Sequence, residues 1–270
     1  MINIVVIGAA GRMGRLIMKN ILIMPNLKLV GAIEAKQSPL LGTDAAVLVE
    51  ALPCGIKLTD DLQQSLNGAD VVIDFSTGDI VGNARESVKH GAGVVIGTTA
   101  LSEQQKQELK NLVSAGARIV CTPNMSVGMN MLFHIAGEVA KILGESYDIE
   151  LVELHHNQKK DAPSGTAMKL VEILAKARNM DVDRDICYGR KGIIGERPAK
   201  QIGVHAVRCG DIAGEHTIIF STNGERIELI HKATTRETFA LGALRAAMYV
   251  KNAKPGCYDM QDVLDIKKSI

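Results

Sequence analysis

Hydrophobic residues in the first half of the chain form short runs that alternate with segments of helical spacing. The runs lie at residues 2–7, 27–33, 71–75, 93–96 and 119–121. Each run is short, nearly continuous in apolar residues and bounded by turn-forming residues, which is typical of parallel strands buried on both faces. The pattern therefore predicts an α/β fold whose N-terminal part is a Rossmann-like, doubly wound parallel sheet.

The segments between these runs carry helix signals. Residues 12–24 have helical spacing and end before Pro25. Ser102 with Gln105 forms a capping box ahead of another helix. Each predicted strand ends in small or polar residues at its carboxyl edge, which is where open α/β sheets bind their ligands.

The pattern changes after about residue 148, where strands begin to follow one another without intervening helices. Residues 149–154 predict a strand, and residues 203–233 predict several strands joined by short turns. Asn223-Gly224 is a strong signal for a two-residue hairpin. The second half is therefore expected to be an α+β domain with a mixed or antiparallel sheet.

The last predicted helix has a long apolar face and follows a second capping-box pattern, Thr234 with Glu237. We expect this helix and the tail to return to the first domain. The pattern therefore predicts one domain at residues 1–126 with residues 236–270, and a second domain at residues 127–235.

Composition excludes several classes of protein. The chain is 46% hydrophobic and 23% charged, which argues against disorder, and a net charge of +1 without a basic stripe argues against nucleic-acid binding. The sequence shows neither a membrane-spanning run nor a basic leader, so we expect no membrane partner. Its five cysteines lack metal-type spacing, which favours reduced thiols in the cytoplasm and no bound metal.

The junction of the first strand and first helix carries Gly8, Gly11 and Gly14. Gly8 suits a tight turn, Gly11 lets the backbone approach a pyrophosphate, and Gly14 allows close packing of helix on strand. Glu34 closes the second strand about 20 residues on, where an acidic side chain binds a ribose hydroxyl. The spacing is G-x-x-G-x-x-G, so the prediction of a dinucleotide site depends on this context. Arg12 either contacts the dinucleotide or is solvated.

The choice of cofactor depends on two residues at the end of the second strand. Glu34 favours NADH because its carboxylate accepts hydrogen bonds from both ribose hydroxyls. Lys36 lies close enough in sequence to meet a 2′-phosphate, so NADPH remains open. We expect NADH and NADPH both to be used, with a preference for NADH.

A polar segment at residues 153–166 combines imidazoles, an ammonium group and a predicted helix start. His155 is suited to donate a proton near neutral pH, and Lys159 to pair with a carboxylate or to serve as the acid. The backbone N–H groups of Gly165 and Thr166 suit a carboxylate. The simpler alternative is a strand end with surface imidazoles, and the spacing does not fit a zinc site.

Motifs along nearly the whole chain resemble those of the 4-hydroxy-tetrahydrodipicolinate (dihydrodipicolinate) reductases of bacterial lysine and diaminopimelate biosynthesis. The most specific is Glu153-Leu-His-His156 running to Asp161-Ala-Pro-Ser-Gly-Thr166. The others are Val6-Ile-Gly-Ala-Ala-Gly-Arg-Met-Gly14, Asp74-Phe-Ser76, Gly97-Thr-Thr99, Pro123-Asn-Met-Ser-Val-Gly128, Gly210-Asp-Ile-Ala-Gly-Glu-His-Thr217, His231-Lys-Ala233 and Tyr258-Asp-Met260.

The resemblance implies reduction of the cyclic dicarboxylate 4-hydroxy-tetrahydrodipicolinate, via dihydrodipicolinate, to tetrahydrodipicolinate with NAD(P)H, by a homotetramer. It implies that residues 1–126 with residues 236–270 form the dinucleotide-binding domain, and that residues 127–235 form the substrate-binding and oligomerisation domain. It also implies that His155 and Lys159 are catalytic. The implied substrate-binding residues are His156, Gly165 and Thr166. The implied cofactor-binding residues are Gly8, Gly11, Arg12, Met13, Gly14, Glu34, Phe75, Gly97, Thr98, Thr99, Pro123, Asn124 and Met125.

The chain departs from the family pattern in having Glu34-Ala35-Lys36 where a Glu-Arg pair is frequent, which leaves its contact with NADPH open. Two other functions share the first domain. One is a different two-domain dehydrogenase, such as an aspartate or homoserine dehydrogenase. The other is an NAD(H)-binding redox sensor without catalysis, which would usually add a basic helix-turn-helix.

Overall fold

The structure is a computed structural model that describes residues 1–98 and 101–266. Within these ranges the chain divides into two compact units. The first contains residues 1–127 and 236–266, and the second contains residues 128–235. The chain therefore leaves the first unit once and returns to it.

The first unit is a parallel sheet with helices on both faces. Its strands are β1 (Ile2–Ile7), β2 (Leu27–Ile33), β3 (Leu58–Thr59), β4 (Val71–Asp74), β5 (Gly93–Ile96), β6 (Arg118–Cys121) and, late in the chain, β12 (Gly256–Tyr258). Its helices are α1 (Arg12–Ile23), α2 (Leu62–Ser65), α3 (Ile80–Lys89), α4 (Glu103–Ser114), α7 (Glu237–Asn252) and α8 (Met260–Val263).

The seven strands lie in the order β12-β6-β5-β4-β1-β2-β3, and every pairing is parallel. Strand β1 lies in the interior of the sheet and shows how the two faces form. Ile4 and Val6 pack with α1 and α7, while Val5 and Ile7 pack against the other face beside α2. Strand β1 is therefore covered on both sides, and all residues of β4 and β5 are buried as well, which explains the continuous apolar runs.

The second unit is built on a mixed sheet. Its strands are β7 (Asp148–His155), β8 (Ile186–Tyr188), β9 (Ile202–Arg208), β10 (Gly214–Thr222) and β11 (Glu225–Ala233), and its helices are α5 (Val127–Leu143) and α6 (Gly165–Ala177). The order is β11-β10-β7-β9-β8. β7 pairs parallel with β9 and antiparallel with β10, so the sheet is mixed.

One face of this mixed sheet carries a second hydrophobic core. Leu151 and Phe220 on the sheet are fully buried against Phe133 of α5 and Leu170 of α6. Residues at alternate positions point to the opposite face, where Ile230 is 52% exposed. One face of the sheet is thus buried in the core, and the other face is partly exposed to solvent.

The fold class predicted from the sequence is confirmed, and most element boundaries agree within one or two residues. The Ser102–Gln105 capping box is present. The predicted hairpin is also present, because Thr222 pairs with Glu225 across Asn223-Gly224. The short elements β3, α2, β8, β12 and α8 were not predicted, since runs of two to four residues carry no readable period.

The capping box predicted at Thr234 is wrong. Helix α7 begins at Glu237 with Arg236 as its N-cap residue, so Glu237 occupies the first helical position and not the third. Glu237 instead accepts a hydrogen bond from Asn20 of α1, at 3.3 Å. This contact ties the start of α7 to α1.

Glu150 organises an ionic network on the second sheet. Its carboxylate accepts hydrogen bonds from Arg190 at 2.9 and 2.8 Å, Arg197 at 2.9 Å and His205 at 2.8 Å. Burial raises the pKa of Glu150, but these hydrogen bonds outweigh it and bring the pKa down to about 2. The network ties the connection between β8 and β9 to strand β7.

All five cysteines are free thiols, and burial raises the pKa of Cys121 to about 11, which makes that thiol unreactive. None of the helices in the described ranges is long and apolar enough to cross a membrane.

Helix α7 should be a main source of stability for the first unit. Leu244 is fully buried in the core that α1 and β1 share. Leu244→Ala should lower the free energy of unfolding by about 2–5 kcal/mol, because it leaves a cavity. Leu241 on the same helix is 42% exposed. As a matched control, Leu241→Ala should cost about 0.5 kcal/mol or less in urea unfolding followed by circular dichroism. Equal costs would contradict this packing.

The Glu150 network should make stability depend on pH. The folded-state pKa of Glu150 is depressed from 4.5 to about 2, so the ionised form contributes stability above pH 4.5, and this contribution is lost as the pH falls toward 2. The difference in urea midpoint between the wild type and Glu150→Gln should therefore shrink across this window. A difference that stays constant from pH 4.5 to about 2 would contradict the assignment.

Candidate active site

The glycine loop after β1 is built for close approach of backbone to backbone. Gly8 has φ +75°, a left-handed conformation that glycine adopts without strain. A Cβ on Gly14 would lie 2.2 Å from the carbonyl oxygen of Gly8, so any side chain there would force α1 away from the loop. Gly11 is the N-cap of α1 and has no side chain to cover the first-turn N–H groups. The loop therefore fits an anionic pyrophosphate.

Glu34 lies beside this loop, as the sequence suggests. One carboxylate oxygen accepts the N–H of Ala10 at 2.8 Å, and the other accepts the N–H of Ala35 at 2.9 Å. Each oxygen retains a second lone pair, which is what recognition of a ribose diol requires. Arg15, which the sequence did not single out, donates to the carbonyl of Ala10 at 2.9 Å and holds the loop from the other side.

Further predicted cofactor residues meet around a cavity of about 290 Å³ in the first unit. Predicted residues that line it are Arg12, Met13, Phe75, Gly97, Pro123, Asn124 and Met125. Thr98 follows Gly97 in the chain and is half-buried, and Thr99 lies outside the described residues.

Sequence reasoning missed three residues that line the same cavity, namely Thr122, Arg236 and Phe239. Arg236 and Phe239 come from the start of α7, more than a hundred positions away from the other lining residues. No local pattern could have placed them here, because their position depends on how α7 packs.

Phe75 and Gly97 shape this cavity together. A Cβ on Gly97 would lie 2.3 Å from the ring of Phe75, so only glycine lets the ring take this position. The carbonyl of Asp74 accepts the N–H of Gly97 at 2.8 Å, and the Asp74 side chain accepts from Ser76 N–H and Asn83, each at 2.8 Å. Burial raises the pKa of Asp74, whose side chain serves to order this strand end.

The second cluster of polar residues lies at the end of β7, in the second unit. His155 is the last residue of the strand and is only 9% exposed, so it is not a surface imidazole. Its Nδ1 contacts Glu153 Oε2 at 2.5 Å. Arg208 of β9 donates to both oxygens of Glu153 at 2.9 Å, and Ser164 N–H donates at 3.0 Å.

The ionisation of this cluster follows from its contacts. Burial raises the pKa of Glu153, but the hydrogen bonds from His155, Arg208 and Ser164 bring it down to about 2. His216 of β10 meets His155 edge to face, with ring centroids 5.4 Å apart. Burial and the neighbouring His155 lower the pKa of His216 to about 3. Glu153 is therefore a carboxylate and His216 a neutral imidazole.

The remaining predicted substrate residues lie between β7 and α6. Lys159 forms an ion pair with Asp161 at 2.8 Å, and His156 is half-buried. Helix α6 begins at Gly165 and Thr166, with Ser164 as its N-cap accepting the N–H of Ala167 at 3.1 Å. Glu153 connects the imidazole to this helix start, since it accepts from both His155 and Ser164.

The sequence did not assign roles to Glu153, Arg208 or His216. A signal for Glu153 exists, because it lies two positions before His155 and so points to the same face of a strand. Arg208 and His216 lie on other strands, so only the register of the sheet reveals them. In the described ranges, His, Cys, Asp and Glu side chains form no group suited to hold a metal ion.

Comparisons with known proteins agree across the whole chain. The family models "Dihydrodipicolinate reductase, N-terminus" and "Dihydrodipicolinate reductase, C-terminus" match residues 2–125 and 128–264. The 4-hydroxy-tetrahydrodipicolinate reductase of Anaeromyxobacter dehalogenans is 45% identical, with 99% of each chain covered. That of Hahella chejuensis is 44% identical, with 99% of this chain and all of its own length covered.

Solved structures share the fold. A dihydrodipicolinate reductase from Paenisporosarcina sp. TG-14, with dipicolinate bound, superposes with a TM-score of 0.76 at 22% identity and covers 99% of this chain and 100% of its own. An amine dehydrogenase from Mycobacterium smegmatis gives 0.59 at 16% identity, over 95% and 94% of the two chains. With both family models matched and relatives 44–45% identical over their full length, the chain belongs to the dihydrodipicolinate reductase family.

Proposed function

We propose that this chain reduces 4-hydroxy-tetrahydrodipicolinate, via dihydrodipicolinate, to tetrahydrodipicolinate with NADH or NADPH, in lysine and diaminopimelate biosynthesis. The observation that carries the proposal is the pairing of two sites in a chain that matches the family over both units. The first unit has a glycine loop with an adjacent acid. The second has an ordered imidazole at the end of β7, followed in the chain by a lysine and a helix start.

The first unit would hold the dinucleotide. The pyrophosphate fits the loop formed by Gly8, Gly11 and Gly14, and Glu34 is placed to accept hydrogen bonds from a ribose. The nicotinamide end fits the cavity lined by Phe75 and its neighbours. A reduced nicotinamide, when bound, supplies the hydride, and the residues of this chain bind and orient the reactants.

The second unit would hold the dicarboxylate and manage the proton. In this proposal Lys159 leaves Asp161 to pair with one carboxylate, and the first N–H groups of α6, at Gly165 and Thr166, suit an anion. His156 completes this set. His155 gives a proton to the substrate as the ring is reduced, and the loss of the ring hydroxyl as water precedes that step.

Assembly is the second part of this proposal. One face of the mixed sheet presents Val152, Leu154, Val207, Ile219 and Ile230, of which Val207 and Ile230 are 39% and 52% exposed. We propose that copies of this chain pair through these sheets in a homotetramer. The five cysteines form no disulfide, which favours the reducing cytoplasm as its location.

The reductase activity can be tested directly. The substrate is made in situ from pyruvate and aspartate semialdehyde by its synthase, and the oxidation of NADH or NADPH is then followed on adding this chain. We expect turnover that requires the synthase and occurs with both cofactors, with the lower KM for NADH. A folded chain that binds NADH without turnover would instead favour another dehydrogenase or a sensor. A KM for NADPH well below that for NADH would contradict the preference.

Substitution of His155 and Lys159 should identify the residue that donates the proton. His155→Gln should lower kcat by about a hundredfold, the usual contribution of a positioned acid, while the affinity for NADH stays near that of the wild type. Lys159→Met should mainly raise KM for the dicarboxylate. His205 lies on the same sheet but bonds to Glu150, so His205→Gln is a matched control that should retain kcat. An unchanged kcat in His155→Gln would transfer the role to Lys159 or to water.

A further inference from the structure

Glu153 and His155 point to the same side of β7, and their contact decides which imidazole nitrogen carries hydrogen. The Glu153 side chain is fully buried, and its Oε2 lies 2.5 Å from His155 Nδ1. An ionised carboxylate only accepts hydrogen bonds, so Nδ1 must be the donor. In the neutral ring the other nitrogen, Nε2, then has a free lone pair and is the site that exchanges a proton.

The other contacts of Glu153 leave it no capacity for a different role. A carboxylate offers about four lone-pair sites. Oε2 accepts from His155 and Arg208, and Oε1 accepts from Arg208 and the N–H of Ser164, at distances of 2.5–3.0 Å. The charges of Glu153 and Arg208 cancel, so the pair orients the imidazole without adding net charge. A carboxylate saturated in this way does not itself donate a proton.

The surroundings of Nε2 are consistent with a reacting nitrogen. A Cβ on Gly214 of β10 would lie 3.1 Å from Nε2, so any side chain at this position would crowd that nitrogen. His216 packs against the ring of His155 edge to face and is neutral, so it limits rotation of the ring without repelling its charged form.

We infer that Glu153 is a positioning residue that holds His155 with hydrogen on Nδ1, so that the proton is transferred at Nε2, and that Arg208 and Ser164 hold Glu153. This inference rests on the proposed function. The imidazolium that releases its Nε2 proton to the substrate becomes the neutral Nδ1–H form, which is the form that Glu153 already binds. No rearrangement of the ring is needed between turnovers. The same carboxylate sets the position of the imidazole relative to the start of α6.

Kinetics of paired variants separate this role from a purely structural one. Glu153→Gln should lower kcat by about as much as His155→Gln, on the order of a hundredfold, with little change in KM for NADH. The double variant should lose no more than His155→Gln alone, because Glu153 acts through His155. Losses that multiply in the double variant would overturn the inference. Glu153→Asp, which keeps the charge, should recover part of the activity.

Glu150→Gln is the matched control. Glu150 is on the same strand and also accepts several charged hydrogen bonds, but its donors are Arg190, Arg197 and His205 and not His155. Its substitution should cost stability and leave kcat near the wild-type value. A loss of kcat equal to that of Glu153→Gln would show that removing any ionic network of this sheet suffices, and would overturn the inference.

The tautomer can be measured without turnover. In protein labelled with ¹⁵N-histidine, long-range ¹H–¹⁵N correlations assigned with His155→Gln should show the neutral ring protonated at Nδ1, and Glu153→Gln should change this population. A wild-type ring protonated at Nε2, or no change in the variant, would overturn the inference. The expected tautomer in a chain that does not reduce the substrate would instead reject the proposed function alone.

If Glu153→Gln does not fold, Gly214→Ala tests whether Nε2 of His155 is the nitrogen that transfers the proton. It changes none of the residues that contact Glu153 and adds a methyl group about 3.1 Å from Nε2. We expect a lower kcat with the wild-type tautomer retained. A wild-type kcat would show that Nε2 is not the nitrogen that transfers the proton.

Discussion

A buried carboxylate, Glu153, is the constraint on which the second unit depends. Removing a charge from water costs several kcal/mol unless its lone pairs are filled and its charge is paired. Glu153 meets both conditions through β9, the end of its own strand and the residue that caps α6. The positions of β7, β9 and the start of α6 are therefore linked to one ionised group, which orders the polar end of the sheet.

The first unit solves a different problem, which is how to leave room for a ligand in a tightly packed sheet. Gly14 and Gly97 each occupy a place where a Cβ would lie 2.2–2.3 Å from neighbouring atoms. These glycines do not provide flexibility. They allow a helix and an aromatic ring to approach the backbone, and this approach creates the loop and the cavity beside it. Glu34 and Arg15 then hold the loop from opposite sides.

The sequence predicts what depends on local pattern and misses what depends on packing. The strands around Val94 and Ile119 could be predicted because a strand that is buried on both faces needs a continuous run of apolar residues. The glycine loop could be predicted because its backbone geometry requires glycine at particular positions. Arg208 and Arg236 could not be predicted from local pattern. Arg208 reaches its site through the register of β9 against β7, and Arg236 through the position of the start of α7. The Thr234 pattern was also misleading, because a Thr followed three residues later by a Glu is too short a match to fix a helix start, and α7 begins at Glu237.

The return of α7 to the first unit affects how the chain can be made. The second unit is continuous from residue 128 to residue 235, whereas the first needs residues 236–266 to complete its sheet and cover its core. During synthesis the N-terminal segment leaves the ribosome first, yet it lacks Leu244 and Val250, which are fully buried in the finished unit. The later segment can therefore finish folding before the earlier one. Until α7 has been translated, the N-terminal sheet exposes one apolar face, and during that interval it would be a substrate for chaperones.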